Sequence, residues 1–311
     1  MSKIIRIVTR ESPLALWQAN HVKAQLSLLW PDRPIEVLGI KTQADKFMDM
    51  QLVSLGGKGA FVKELQQALL DNKADLAIHS MKDVTVEQHE NLNISAIMVR
   101  ESPTDCFISN KYRSINDLPL KAHIGTSSLR RRCQLMAIRP DLIIGNIRGN
   151  VGTRLEKLDD GEFDALILAT AGMKRLGFTD RITQELHYEK MLPAIGQGAL
   201  GLETRRDDHE TLEFVSPLND NETNLCVTAE RAVNQRLYGG CHSPIAAYAR
   251  IEHNNLKIAA LVGMPDGSQL IRAASTGSIK QAETLGHNLG DELLNNGADV
   301  ILRELRDENS G

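Results

Sequence analysis

Short apolar runs and stretches of helical spacing take turns along most of this chain, and few architectures accept that rhythm. Ile4–Thr9 reads as a buried strand; Ser12 then offers an N-cap, Pro13 suits the first helical position, and the apolar spacing from Leu14 to Leu29 is helical. Ile35–Ile40 is a second strand. A polar, glycine-rich stretch runs through Gly59, followed by a helix from about Phe61 to Asn72 and a strand at Ala74–His79. Strands joined through helices predict an α/β fold with a largely parallel sheet.

The alternation restarts near Asp105. Strands are expected at Cys106–Ser109, His123–Gly125, Leu142–Ile147 and Asp164–Ala169, with helices at Leu129–Ile138 and Val151–Leu158. Leu200–Thr204 reads as a strand that rejoins the first sheet after this insertion, as in hinged two-lobed folds. Beyond Asn221 comes a helix to about Tyr238. Three strands follow, Ala246–Ile251, Leu256–Val262 and Gln269–Ala274, broken at Asn254-Asn255 and Pro265-Asp266-Gly267. A closing helix around Lys280–Asn296 is expected to cover that antiparallel meander. At 311 residues the chain exceeds one ordinary core, so two or three domains with clefts between them are expected.

Composition removes several classes of function. Apolar residues make up 42% and charged residues 24%, which suits a folded globular chain. No apolar run suits a signal peptide or a membrane span, so the expected location is cytoplasmic. Cys106, Cys133, Cys226 and Cys241 form no C-x-x-C pair and the histidines no H-E-x-x-H pair, so neither a disulfide framework nor a metal site is expected. A net charge of −4 and 4% aromatic residues argue against nucleic-acid binding.

The cations are nevertheless unevenly placed. Between Lys121 and Lys157 eight Lys or Arg stand against only Asp141 and Glu156, which points to an anionic ligand. Small polar residues fall where strands pass into helices, at Thr9/Ser12, Thr126-Ser127-Ser128 and Asn150-Gly152-Thr153. Each of these turns has arginine beside it: Arg10, then Arg130 and Arg131, then Arg148 and Arg154. Helix N-termini bind carboxylate or phosphate, and guanidinium forks match carboxylates bidentately.

Gly56-Gly57-Lys58-Gly59 fails the phosphate-loop spacing because Lys58 precedes glycine, and it reads as a lid. His79-Ser80-Met81-Lys82-Asp83 ends a strand, where α/β sheets present ligand-binding residues. Gly239-Gly240-Cys241 sets a thiol on a loop after a helix. On these residues alone three readings stay open: an enzyme for a many-carboxylate substrate, a non-enzymatic two-lobed anion-binding protein, and a nucleotide binder using Lys121–Lys157.

The strings HSMKDV, GTSSLRRRCQL, RGNVGTRL, DALILATAGMKRLG, LPAIGQGALGLE and GGC, in this order, resemble the porphobilinogen deaminase family over almost the whole chain. The resemblance implies two periplasmic-binding-protein-like (type II) α/β domains around a cleft and a third small α+β domain with an antiparallel sheet. Their expected extents are residues 1–98 with 193–217, residues 99–192, and residues 218–311. It also implies a cytoplasmic, monomeric transferase that uses neither membrane nor nucleic acid. Porphobilinogen units would be joined head to tail with loss of ammonia, on a dipyrromethane primer, and the linear tetrapyrrole finally hydrolysed off.

By motif position the resemblance assigns catalysis to Asp83 and attachment of dipyrromethane, through a thioether, to Cys241. It assigns the substrate and cofactor carboxylates to Arg10, Arg130, Arg131, Arg148, Arg154 and Arg175, with Ser12, Lys82, Thr126, Ser127 and Ser128 as helpers. Arg132 is expected to face solvent, and Lys58 belongs to the lid at about 42–59. Loss of ammonia leaves an azafulvene-like cation whose charge spreads onto the pyrrole nitrogen. Asp83, kept ionised by surrounding arginines, is expected to stabilise that charge, with proton relay a secondary role. The chain departs from the family pattern at Gln43-Ala44-Asp45, Ala60, His242-Ser243 and Thr85, where proline is usual. Thr85 leaves φ freer than proline would, so the loop holding Asp83 is expected to be less rigid.

Overall fold

The computed structural model describes residues 3–40, 62–240 and 243–308. The lid expected at 42–59, with Gln43-Ala44-Asp45 and Lys58, lies outside the described residues, as do Ala60, Cys241 and His242. The chain divides into two compact units, Met1–Glu101 with Ala199–Asn224, and Ser102–Gly198 with Leu225–Gly311.

In the first unit β1 (Ile5–Arg10) leads into α1 (Pro13–Leu29), β2 (Ile35–Ile40), α2 (Lys63–Leu70), β3 (Leu76–Ser80) and β4 (Leu92–Ile97). Pro13 opens α1 as expected, but the Ser12 side chain makes no capping hydrogen bond. Side chains alternate across the sheet. Ile5, Ile7, Leu76 and Ile78 pack on Ala19, Val22 and Leu26 of α1, whereas Val8 and Ala77 pack on Leu65, Ala68 and Leu69 of α2. Each of the Val, Leu and Ile side chains, fully buried, stabilises the fold by about 1.5–3 kcal/mol.

The second unit follows the same plan. Its elements are β5 (Asp105–Ile108), β6 (His123–Gly125), α3 (Leu129–Ile138), β7 (Ile143–Gly145), α4 (Val151–Asp159), β8 (Ala165–Ala169), α5 (Thr170–Arg175) and β9 (Gln184–Leu186). The chain then returns to the first unit as β10 (Leu200–Arg205) and α6 (His209–Val215). The two sheets are ordered β2-β1-β3-β10-β4 and β7-β6-β8-β5-β9.

In both sheets three parallel strands are followed by a reversed one: β10 runs antiparallel to β3 and β4, and β5 antiparallel to β8 and β9. The sheets are therefore mixed, not largely parallel. The cause is the point of re-entry. The chain comes back at the carboxyl end of β3, where Met81 N donates to Ala199 O at 3.0 Å, so β10 can only run back down the sheet.

After α7 (Asn221–Arg236) comes the predicted meander, β11 (Ile245–Glu252), β12 (Asn255–Gly263) and β13 (Leu270–Ser278), antiparallel throughout. One face packs on Ala229 and Val233 of α7, on Leu237 just after it, and on Leu289 and Leu293 of α8 (Ala282–Leu293). The other face sets Ala246 and Leu261 against Cys133 of α3. The closing helix runs on as a π-turn, Leu294–Ala298, and kinks at Gly297 (φ 101°), just past its expected end; the chain continues as α9 (Asp299–Glu308). The fold class is the one implied by the resemblance: two α/β domains of one plan and a third small domain on an antiparallel sheet.

Candidate functional site

Both α/β sheets place polar residues just beyond the carboxyl ends of their parallel strands, the position where open sheets bind ligands. In the first unit, Arg10 at the end of β1, Ser12 before α1 and Asp83 after β3 line one pocket with Thr9, Gln18, His79 and Ser80. Its wall is pinned by hydrogen bonds, from Gln18 Nε2 to Ser80 Oγ at 2.9 Å and from Thr9 Oγ1 to Ala15 O at 3.1 Å.

Asp83 closes a single 3-10 turn, Met81–Asp83. Met81 is buried and anchors that turn against Gly201, where even one added methyl would meet Met81 Sδ at 2.3 Å. Asp83 is thereby held exposed at the pocket's rim, with Lys82 half-buried beside it. Thr85 Oγ1 donates to Glu87 O at 2.7 Å, so a side-chain bond braces the loop where proline is usual.

In the second unit the expected helper residues bind their own backbone. Ser128 caps α3 by accepting from Arg131 N at 3.4 Å, and Thr126 Oγ1 accepts from Ser128 N at 3.3 Å. Ser127 Oγ donates to Ile147 O at 2.8 Å and accepts from Ile147 N at 3.0 Å. That clasp ties the loop carrying the exposed Arg148 to the start of α3. Arg175, at the end of α5, donates from Nη2 to Gly198 O at 2.7 Å. Arg132 is exposed, as expected.

Arg130 and Arg131 are buried and converge on Asp105, the first residue of β5. Arg130 reaches its carboxylate at 2.7 and 3.3 Å. Arg131 does so at 2.8 and 3.1 Å, and Gln197 Nε2 adds a donor at 3.0 Å. Burial alone would raise the Asp105 pKa, but the charges and hydrogen bonds of the two guanidinium groups hold it well below the usual carboxylate range. One carboxylate thus balances two guanidinium groups, which leaves a net positive charge. Sequence reasoning missed Asp105: nothing local to it signals a partner some two dozen residues away.

Arg154 is in a different state. Half-buried, it donates Nε to Gly149 O at 2.9 Å, and no carboxylate among the described residues meets it. Burial, and then the charge of Arg131, push its pKa down to about 10.

Two family models match the chain in succession. Porphobilinogen deaminase, dipyromethane cofactor binding domain, matches residues 5–213, and Porphobilinogen deaminase, C-terminal domain, matches residues 224–295. The chain belongs to the porphobilinogen deaminase family. Members of this family are transferases (hydroxymethylbilane synthases) that condense porphobilinogen in tetrapyrrole biosynthesis and carry a dipyrromethane cofactor.

Solved structures similar to the chain include an ABC transporter, periplasmic substrate-binding protein from Coxiella burnetii. It is 14% identical, with a TM-score of 0.44 over 69% of this chain and 91% of that one. A lipoprotein of the YaeC family from Enterococcus faecalis is 15% identical, with a TM-score of 0.42 over 70% and 91%.

The donors of the second unit fit the deaminase cofactor. A dipyrromethane carries acetates and propionates, hence several carboxylates. Here it would meet a desolvated cation without a carboxylate partner among the described residues, the net charge left over at Asp105, and the N-terminus of α3. Cys106, Cys133 and Cys226 are buried, and burial pushes the thiols of Cys106 and Cys133 up to about 12. None of these three is placed for attachment. Among the described residues no helix is long and apolar enough to cross a membrane.

Proposed function

We propose that this chain carries out the deaminase reaction as a cytoplasmic monomer, with Asp83 as the catalytic carboxylate and Cys241 as the point of attachment. The observation that carries the reading is the pocket in which Arg10, Ser12 and Asp83 meet. When bound, the cofactor supplies the pyrrole α-carbon onto which the first porphobilinogen unit is built. Arg10 in the first unit, and Arg148, Arg154 and Arg175 in the second, bind acetate and propionate groups. Arg130 and Arg131 do so with the N–H groups left over by Asp105 and by the carbonyls of Leu192 and Ile167.

Asp83 accepts the pyrrole N–H and stabilises the positive charge that spreads onto that nitrogen as ammonia leaves. A fixed carboxylate does this at no cost in reorganisation. Thr126, Ser127 and Ser128 act through the backbone, by holding the start of α3 and the loop of Arg148 in place. Ser12 lines the pocket and Lys82 stands next to Asp83 as helpers to these cations.

Two measurements test the reading. The intact mass of the purified chain should exceed the polypeptide by two porphobilinogen units less two ammonias, with peptide mapping placing the excess on Cys241. Asp83→Ala should retain that excess but lose about 10²-fold or more in kcat. Near-normal turnover in Asp83→Ala would refute the role of Asp83. A chain that stays unmodified when given porphobilinogen would instead favour a two-lobed anion-binding protein.

A further inference from the structure

One wall of the Asp83 pocket holds an ionisable pair that the reading above leaves idle. His79, in β3, sets Nε2 at 2.8 Å from Glu203 Oε2 of β10. Gln66 of α2 donates to the other carboxylate oxygen at 2.8 Å. The pair is nearly sealed: His79 is 5% exposed and Glu203 1%. Its geometry follows from the register, since His79 pairs with Gly201 and Glu203 is therefore its diagonal neighbour on the same face.

A carboxylate can only accept, so the proton of the neutral imidazole belongs on Nε2, facing Glu203. Nδ1 is then left with its lone pair. Among the described residues Nδ1 has no hydrogen-bond partner, and His79 lines the same pocket as Asp83. A purely structural tie between β3 and β10 has no need of charge. Burying an ionisable couple costs several kcal/mol of desolvation, and an amide pair would join the strands without that cost.

We propose that His79, oriented by Glu203, is the base that completes each condensation; this rests on the deaminase reading. Once the methylene carbon of an incoming unit has bonded to the pyrrole α-carbon, that carbon still holds its hydrogen. The C–H bond breaks, its electron pair returns to the ring, and the proton passes to His79 Nδ1. Glu203 balances the resulting imidazolium, which gives its proton to the ammonia released in the same cycle. This separates two tasks that conflict in a single group: Asp83 stabilises cationic charge, while His79 accepts protons. The charged groups around the ring are Glu203 from β10, Arg10 from β1 and Asp83 from the turn after β3; α1 and α2 contribute Gln18 and Gln66, which do not titrate.

The test compares the full chain with His79→Gln, which keeps the hydrogen bond to Glu203, and with Glu203→Gln. In histidine-labelled protein the nitrogen shifts of the His79 ring, identified by their loss in His79→Gln, should show the Nε2–H tautomer in the wild type and a mixture of tautomers in Glu203→Gln. This readout needs neither cofactor nor turnover. His79→Gln should lose about 10²-fold or more in kcat, with KM within a few-fold and the acid limb of the pH profile abolished. In Glu203→Gln that limb should move relative to the wild type. Porphobilinogen deuterated at its free α-carbon should show a primary isotope effect that grows in His79→Gln. An unchanged pH profile in His79→Gln overturns the inference, as does a loss confined to KM or to thermal stability. If the wild-type chain releases no ammonia from porphobilinogen, the deaminase reading itself fails. A His79 ring whose neutral form carries its proton on Nδ1 overturns the inference on its own.

Discussion

Replacing Asp105 by Asn keeps the shape of the side chain and removes the charge on which Arg130 and Arg131 converge. The wild-type carboxylate receives two contacts from each guanidinium group and one from Gln197, all between 2.7 and 3.3 Å and all buried. Taking one partner from a buried ion pair costs about 3–5 kcal/mol because the remaining charge is left uncompensated. For a unit of this size that lowers the melting temperature by roughly 10 °C. The pH dependence has a definite sign. The folded-state pKa of Asp105 lies below its unfolded value, so its contribution is fully present above the ordinary carboxylate range and is lost as pH falls below it. Asp105→Asn should therefore flatten the acid side of the stability curve. Calorimetric melts of both proteins from about pH 3 to 8 check this, with Arg303→Gln, at an exposed helix pair, as a control that should change little. Adding Arg131→Gln to Asp105→Asn should recover part of the loss, since fewer buried charges then lack a partner. A single variant within 1 kcal/mol of wild type, with its acid limb intact, would refute the reasoning.

Two further outcomes follow from the burial of single groups. Arg154 carries a folded pKa pushed down to about 10 by burial and by Arg131, so at neutral pH its charge opposes folding. After discounting for its partial exposure, Arg154→Met should stabilise the cofactor-free chain by about 1 kcal/mol while weakening retention of the cofactor; a lower melting temperature in the cofactor-free variant would count against this. The thiols of Cys106 and Cys133 are pushed up to about 12 by burial. Iodoacetamide at about pH 8 should therefore leave Cys106, Cys133 and Cys226 unlabelled until the chain unfolds, as peptide mapping can read directly.

The strand–helix rhythm was legible because buried strands and amphipathic helices leave opposite periodicities in the sequence. His123–Gly125 and Leu129–Ile138 appear with the bounds expected of them. The strand Leu92–Ile97 was not legible: its Asn93 and Ser95 break the apolar run, and it is a strand only because β10 lies beside it. The direction of β5 and β10 was hidden for a related reason, since nothing within a strand states from which end the chain arrives. The clustering of arginine at helix starts was legible too, but not which of those arginines already hold a carboxylate of the chain itself.

That last distinction bears on how the site tolerates a many-carboxylate ligand. A cleft lined only by bare, desolvated cations would repel itself, and each added guanidinium would lower the pKa of the next, as Arg131 does to Arg154. Asp105 limits the repulsion by drawing Arg130 and Arg131 into one buried cluster whose net charge is that of a single cation. The pair can therefore be rigid without a ligand, whereas Arg154, having no such carboxylate among the described residues, gains the most when a carboxylate arrives. On this reasoning Arg130 and Arg131 set geometry and Arg154 sets affinity. Substitution of the pair should then disturb folding before binding, and substitution of Arg154 should weaken binding without loss of stability.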